Sequence, residues 1–198
     1  MDKSKAIEEI LKGVDHSRCV GVEITNKTTV TLASPGVFCY SVIVTFSPVP
    51  PSIGPQSRET CVFVKRNFST WGIAGVFTYE SDRFSFIAMF SNPLDNNLHK
   101  LEYGLEIFEG KKNFREIELK LKYEEMRSCR SRTETYVSKK LGRNSTALVV
   151  TLGQFKISGT MSNHSKAVFK ILIEEIDSPP AYSPAYNAPQ SLFQKPKQ

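Results

Sequence analysis

A chain of 198 residues with 40% apolar and 23% charged side chains is long enough to bury a substantial core, and its composition is that of neither a fibrous nor a wholly disordered protein. Its net charge of +6 permits attraction to anionic lipid or nucleic acid, yet no helix-turn-helix, zinc knuckle or RNP-like pattern accompanies it, so no nucleic-acid partner is expected. No stretch approaches the roughly 20 apolar residues of a membrane-spanning helix, and the charged opening Met1-Asp2-Lys3-Ser4-Lys5 lacks a signal-peptide core, so the sequence as written reads as cytosolic.

In chain order, Ser4 to Val14 has the period of a short amphipathic helix. Ile7, Ile10, Leu11 and Val14 form one stripe, with Glu8, Glu9 and Lys12 opposite and Gly13 near the end. The period then changes to that of strands. These are expected at Cys19–Ile24, Thr29–Leu32 and Val37–Phe46, where β-branched and aromatic residues are bounded by turn formers. Pro48, Pro50, Pro51 and Pro55 forbid a central strand and predict an extended loop. Further strands are expected at Thr60–Val64, Gly72–Tyr79, Phe84–Phe90, Leu101–Phe108, Ala147–Gln154 and Ala167–Glu175. Phe114 to Glu125 is a second helix candidate, although the alternation of Ile117, Leu119 and Leu121 also suits a strand. Short strands at this spacing with two helices predict an all-β fold, an antiparallel β-sandwich flanked by two short helices. From Ser178 the chain becomes proline-rich and nearly free of aliphatics, which predicts a globular domain over 1–177 and a disordered tail over 178–198.

Catalytic and metal signals are weak. His16, His99 and His164 stand apart from any nucleophile or acidic motif, and no GxSxG, Walker, HExxH or Rossmann pattern occurs, so no enzyme, cofactor or metal site is expected. Cys19, Cys39, Cys61 and Cys129 form no CxxC pair; two disulfides in any of three connectivities are open to a secreted chain, while small buried hydrophobes are the simpler reading. Sequons stand at Asn26, Asn67, Asn144 and Asn163 and matter only if the chain enters the secretory pathway.

Four stretches, in order, resemble the actinoporin family of pore-forming proteins: Gly72-Ile-Ala-Gly-Val-Phe-Thr-Tyr79, Met89-Phe-Ser-Asn-Pro-Leu-Asp-Asn96, Glu106-Ile-Phe-Glu-Gly-Lys-Lys112 and Gly159 to Ile173. The resemblance implies a β-sandwich with two helices, recognition of phosphocholine lipids with a preference for sphingomyelin, homo-oligomers on the membrane, secretion, and insertion of an N-terminal helix to form a pore. Carried over by residue, it implies a headgroup pocket of Ser41, Ala74, Ser91, Pro93 and Tyr123, and an inserting stripe of Ile7, Ile10, Leu11 and Val14. It also marks departures. Asn96, Leu98, His99 and Glu102 stand where the family carries membrane-facing aromatic residues, and Tyr103 is the aromatic left there. The apolar stretch that precedes the family's equivalent of Lys5–Val14 is missing, and a three-turn helix of about 16 Å does not cross a hydrocarbon core of roughly 30 Å. Pore formation is therefore expected to be weakened.

The tail carries a different signal. Pro179-Pro180-Ala181-Tyr182 is a PPxY motif of the kind WW domains grip, because two prolines pre-organise a polyproline II turn and the tyrosine fills a second slot. It implies an alternative role as an intracellular adaptor.

Overall fold

The computed structural model describes residues 5–40, 44–65, 72–95, 98–128, 132–142 and 146–176. Ser41, Asn67, Asn96, Cys129, Asn144 and the PPxY residues Pro179, Pro180 and Tyr182 lie outside the described residues. Two sheets face each other. The six-stranded sheet runs β3 (Val44–Ser47), β4 (Ser57–Val64), β1 (Cys19–Asn26), β11 (Lys166–Glu175), β10 (Phe155–Met161) and β9 (Leu148–Leu152). The five-stranded sheet runs β2 (Ala33–Cys39), β5 (Ile73–Glu80), β6 (Phe84–Asn92), β7 (Glu102–Glu109) and β8 (Tyr136–Lys140). Neighbours pair antiparallel except β1 and β11, which run parallel from Cys19↔Lys166 to Asn26↔Ile173. That pairing joins the first strand to the last, so the sandwich is mixed at one seam.

Between the sheets, aromatic rings pack among aliphatic side chains. Phe63, Phe77, Phe84, Phe86, Phe90, Tyr103 and Phe169 are all buried there, with Phe63 and Phe90 centred 4.8 Å apart and Tyr103 edge-on to Phe169 at 5.7 Å. Such pairs add roughly 0.5–1.5 kcal/mol each beyond simple area burial. β6 carries the unbroken apolar run Phe86–Phe90 because both its faces are covered there. Phe84, Phe86, Ala88 and Phe90 point into the inter-sheet core, while Ile87 and Met89 lie under a helix.

That helix is α2 (Glu116–Ser128). Leu119, Tyr123 and Met126, at i, i+4 and i+7, form its buried stripe over Val76, Ile87 and Met89. The alternating Ile117 and Leu121 are exposed, so the helical period prevails over the strand-like one. Its last turn is fastened by Ser138 Oγ, which donates to Met126 O at 2.7 Å.

On the opposite outer face lies α1 (Ile7–Lys12), shorter than the expected Ser4–Val14. Ile7, Leu11 and Val14 are buried against Cys19, Val62 and Val64, and Ile10 packs at the margin. Gly21 makes the seat, since a Cβ there would fall 2.7 Å from Ile7 Cγ1 and 2.9 Å from Leu11 Cδ1. Burying three aliphatic side chains is worth on the order of 5 kcal/mol. Among the described residues no helix is long and apolar enough to cross a membrane.

Three local expectations are corrected. Val37–Phe46 is not one strand: β2 belongs to one sheet and β3 to the other. Thr29–Leu32 makes only a single bridge, Leu32↔Ile53, because Asn26 holds the chain in a turn. Its side-chain amide donates to Val30 O at 2.8 Å and Gly54 O at 3.0 Å, and its Oδ1 accepts from Thr28 Oγ1 at 2.6 Å. Asn26 is therefore fully buried and its nitrogen is occupied, so this sequon is not a usable glycan acceptor, whereas Asn163 is exposed. Finally, β8 is not among the expected strands, and β10 is anticipated only in part, by the stretch Gly159 to Ile173, which resembles the family's closing hairpin. β8 is a sheet edge with lysines at its end, a common way of blunting an edge, and it carries little of the apolar signature of a central strand. Cys19, Cys39 and Cys61 are free thiols, and burial pushes Cys39 and Cys61 each up to about 12.

Candidate functional site

The outer face of the five-stranded sheet carries one row of side chains near the end of α2. The Tyr40 N–H donates to Ala74 O at 3.0 Å, Ala74 pairs with Ser91, Ser91 with Glu102, and Glu102 with Lys140. Residues two apart on a strand share a face, so Ala74 lies beside Val76 and Ser91 beside Met89, both under α2. The fold thus brings together three of the pocket residues implied by the resemblance, Ala74, Ser91 and Tyr123, with Pro93 half-buried two residues past Ser91. Ser41, the remaining one, lies outside the described residues.

Tyr123 descends from α2 and is only 2% exposed. Burial raises its pKa, opposed by the Arg127 charge and by hydrogen bonding with Ser91 and Arg127. The ring that meets solvent is Tyr40, 49% exposed at the end of β2. It lies 5.0 Å from the Tyr123 ring and edge-on to Phe38 at 5.3 Å. Its hydroxyl donates to the Glu124 carboxylate, and that hydrogen bond holds the phenol above its usual range. Glu102, 8% exposed, is ion-paired with Lys140 at 3.3 Å. Two tyrosine rings, the carboxylates of Glu102 and Glu124 and the guanidinium of Arg127 therefore converge on a small area. Aromatic faces flanked by carboxylates favour an organic cation, and a neighbouring guanidinium favours phosphate.

The backbone beneath is tightly built. A Cβ on Gly72 would lie 2.3 Å from Asn92 O and 2.5 Å from Pro93 Cα, so the β5 entry and the Asn92–Leu94 segment are in direct backbone contact. Beyond Pro93, Leu94 and Leu98 are exposed at 43% and 76%, and His99 is exposed as well. Tyr103 takes the opposite position to the expected one. It is 1% exposed in the inter-sheet core with its hydroxyl donating to Thr146 O, because β7 alternates and Glu102 takes the outer face. The loop's surviving aromatic is structural. Tyr40 and Arg127 went unnoticed in the sequence; the alternation of Phe38 and Tyr40 along β2 was the available signal.

Among the described residues no three His, Cys, Asp or Glu side chains gather as metal ligands. A separate groove of about 690 Å³ lies on the other outer face, between α1 and the β10–β11 hairpin.

No family model matches the chain, and no match is found among curated proteins. Among solved structures the chain is similar to the lipid binding protein Nakanori, known from a crystal structure at 1.5 Å, with a TM-score of 0.65 and 14% identity. The match covers 85% of this chain and 75% of that one. What the likeness establishes is the β-sandwich fold.

Proposed function

We propose that this chain is a non-catalytic membrane-binding protein that takes the ammonium group of phosphocholine-type lipids, sphingomyelin among them, against the exposed ring of Tyr40, which packs on the buried Tyr123. The observation that carries this reading is the ring pair 5.0 Å apart, one ring open to solvent and bonded to a carboxylate. A quaternary ammonium over the Tyr40 face is held by cation–π attraction, while Arg127, beside the supporting Tyr123, is placed to meet the phosphate. The exposed Leu94 and Leu98 follow Ser91 and Pro93 at the same end of the sandwich, where they can enter the lipid interface. That a structural neighbour is itself described as a lipid binding protein supports lipid as the partner class.

Homo-oligomer and pore formation follow from the resemblance and are the finer part of the proposal. In such a step Ile7, Ile10, Leu11 and Val14 leave their seat for the bilayer. Exposing them to water costs on the order of 5 kcal/mol, but moving from one apolar setting to another recovers most of it. The six-residue α1 spans only about 9 Å, against a hydrocarbon core of about 30 Å. Membrane binding without efficient leakage is the expected behaviour, at the surface of target cells if the chain is secreted.

Tyr40→Ala should leave the fold intact, since the ring is half exposed, and should weaken binding to phosphatidylcholine–sphingomyelin vesicles by about 1–2 kcal/mol, the scale of one cation–π contact. Co-sedimentation reads binding and dye release reads leakage. No vesicle binding by the parent protein at micromolar concentration, or unchanged affinity in Tyr40→Ala, overturns this site.

A second reading is carried by the Pro179-Pro180-Ala181-Tyr182 pattern: an intracellular adaptor that recruits WW-domain proteins. A peptide of residues 176–190 should bind members of a WW panel with modest affinity and lose that binding on Tyr182→Ala. Equal binding by both peptides removes this reading.

A further inference from the structure

We propose that the groove between α1 and the β10–β11 hairpin is a second lipid site, which takes the phosphate of an anionic phospholipid. It goes beyond the phosphocholine reading, because it uses none of the tyrosine site and lies on the opposite outer face of the sandwich.

The groove, about 690 Å³, falls within the size range of small-ligand sites. Leu11 and Val168 supply an apolar floor, and Lys12, His164, Lys166 and Lys170 stand around it with the one carboxylate of the lining, Glu8. The charges there are not balanced. Lys170 is neutralised by Glu8 at 2.7 Å and lies 3.8 Å from Glu23. Lys166 instead donates to Val14 O at 2.7 Å and Leu11 O at 3.4 Å, so its charge is fixed at the groove wall. Those bonds also cover the carbonyl end of α1, which otherwise repels an anion. Among the described residues neither Lys12 nor Lys166 has a carboxylate partner, which leaves two uncompensated cations beside an apolar floor.

That combination fits an amphiphile rather than a free anion. A lipid phosphate satisfies the ammonium groups while its first methylenes lie on Leu11 and Val168; inorganic phosphate leaves the floor in contact with water. Position supports the same partner. The Asn92 side-chain amide, one residue from Ser91, donates to His164 O at 3.3 Å and Ser165 O at 2.8 Å. The two concavities thus flank one end of the sandwich, and a membrane meeting that end can reach both.

The test compares binding of the full chain to vesicles of pure phosphatidylcholine and to the same vesicles doped with phosphatidylserine, at low salt. Doping should tighten binding, and Lys12→Glu should lose roughly fivefold or more on doped vesicles, since the loss of one lysine near such a surface is worth roughly fivefold. His164→Glu should act in the same direction, and both should bind pure phosphatidylcholine as the parent does. Lys112→Glu makes the same charge change at an exposed position on the β7–α2 connection and should lose no more than about twofold. Equal losses in Lys12→Glu and Lys112→Glu would show that net charge, not the groove, draws the protein to anionic lipid, and would overturn the proposal. Abolition of the gain by glycerol phosphate at matched ionic strength would make the groove a soluble-anion site and overturn the lipid assignment. Failure of the tyrosine site, by contrast, appears on pure phosphatidylcholine, where neither variant acts.

Discussion

Gly72→Ala should lower stability by about 3 kcal/mol and disturb the candidate headgroup site together with the fold. The reason is the nature of the atoms in the way. A methyl group at Gly72 would meet Asn92 O at 2.3 Å, Pro93 Cα at 2.5 Å and Leu94 N at 2.8 Å, all of them backbone. A side chain can rotate aside from such a clash, but here the end of β6 and the turn after it must move. Because Asn92 and Pro93 directly follow Ser91, the shift passes to the row that holds Ala74, Ser91 and Glu102. For a chain of this size the loss corresponds to a fall in melting temperature of roughly 6–12 °C. Gly142→Ala is the control, since nothing lies within 4 Å of a Cβ placed there, and it should melt close to the parent protein. Thermal unfolding followed by far-UV circular dichroism checks both. Parent-like melting of Gly72→Ala would mean that the two segments are not in backbone contact.

The same region shows what the sequence reveals and where it falls silent. The glycine-bearing strand and the Phe-Ser-x-Pro turn are local patterns, so β5, β6 and the placing of Ala74 beside Ser91 could be anticipated. The alternation of Phe38 and Tyr40 marks a strand but not that Tyr40 joins the site, which it does through a hydrogen bond to a strand more than thirty residues away along the chain. The burial of Tyr123 was equally hidden: a helix candidate with alternating Ile117, Leu119 and Leu121 does not disclose which stripe faces the sheet until the sheet is in place. The division of Val37–Phe46 between two sheets failed for a related reason. Apolar alternation marks a strand but does not say which sheet it joins, and a chain crossing from one sheet to the other keeps the same alternation on both sides. Tyr103 and Glu102 illustrate the cost of a single position. On a strand, neighbours point to opposite faces, so matching the loop by resemblance left the face of each unsettled.

Asn92→Ala should be among the most damaging single changes in the chain, at about 3–4 kcal/mol, although it removes only one small side chain. Asn92 is fully buried, and its amide group reaches three carbonyl oxygens, Ser165 O at 2.8 Å and Cys19 O and His164 O at 3.3 Å. Its Oδ1 accepts from the Arg18 guanidinium at 2.9 Å. These bonds tie the end of β6 in one sheet to the start of β1 and to the β10–β11 turn in the other. Truncation removes all of these bonds at once, each worth roughly 0.5–1.5 kcal/mol and more for the one to the guanidinium, although Ser165 O keeps the Cys19 N–H as a donor. Asn92→Asp keeps the shape but sets a carboxylate against the same carbonyls, with the Arg18 guanidinium as a favourable neighbour. It should therefore be more harmful at neutral pH than in mild acid, where protonation restores a donor. Hydrogen exchange locates the effect: the Cys19 and Lys65 amides, which bond Ser165 O and Arg18 O, should lose protection first. Binding to pure phosphatidylcholine and the gain from phosphatidylserine should weaken together, because the clamp holds the ends of both concavities. A stable Asn92→Ala protein that keeps both would show that each outer face is set by its own helix, α1 or α2, and that the two sites are built independently.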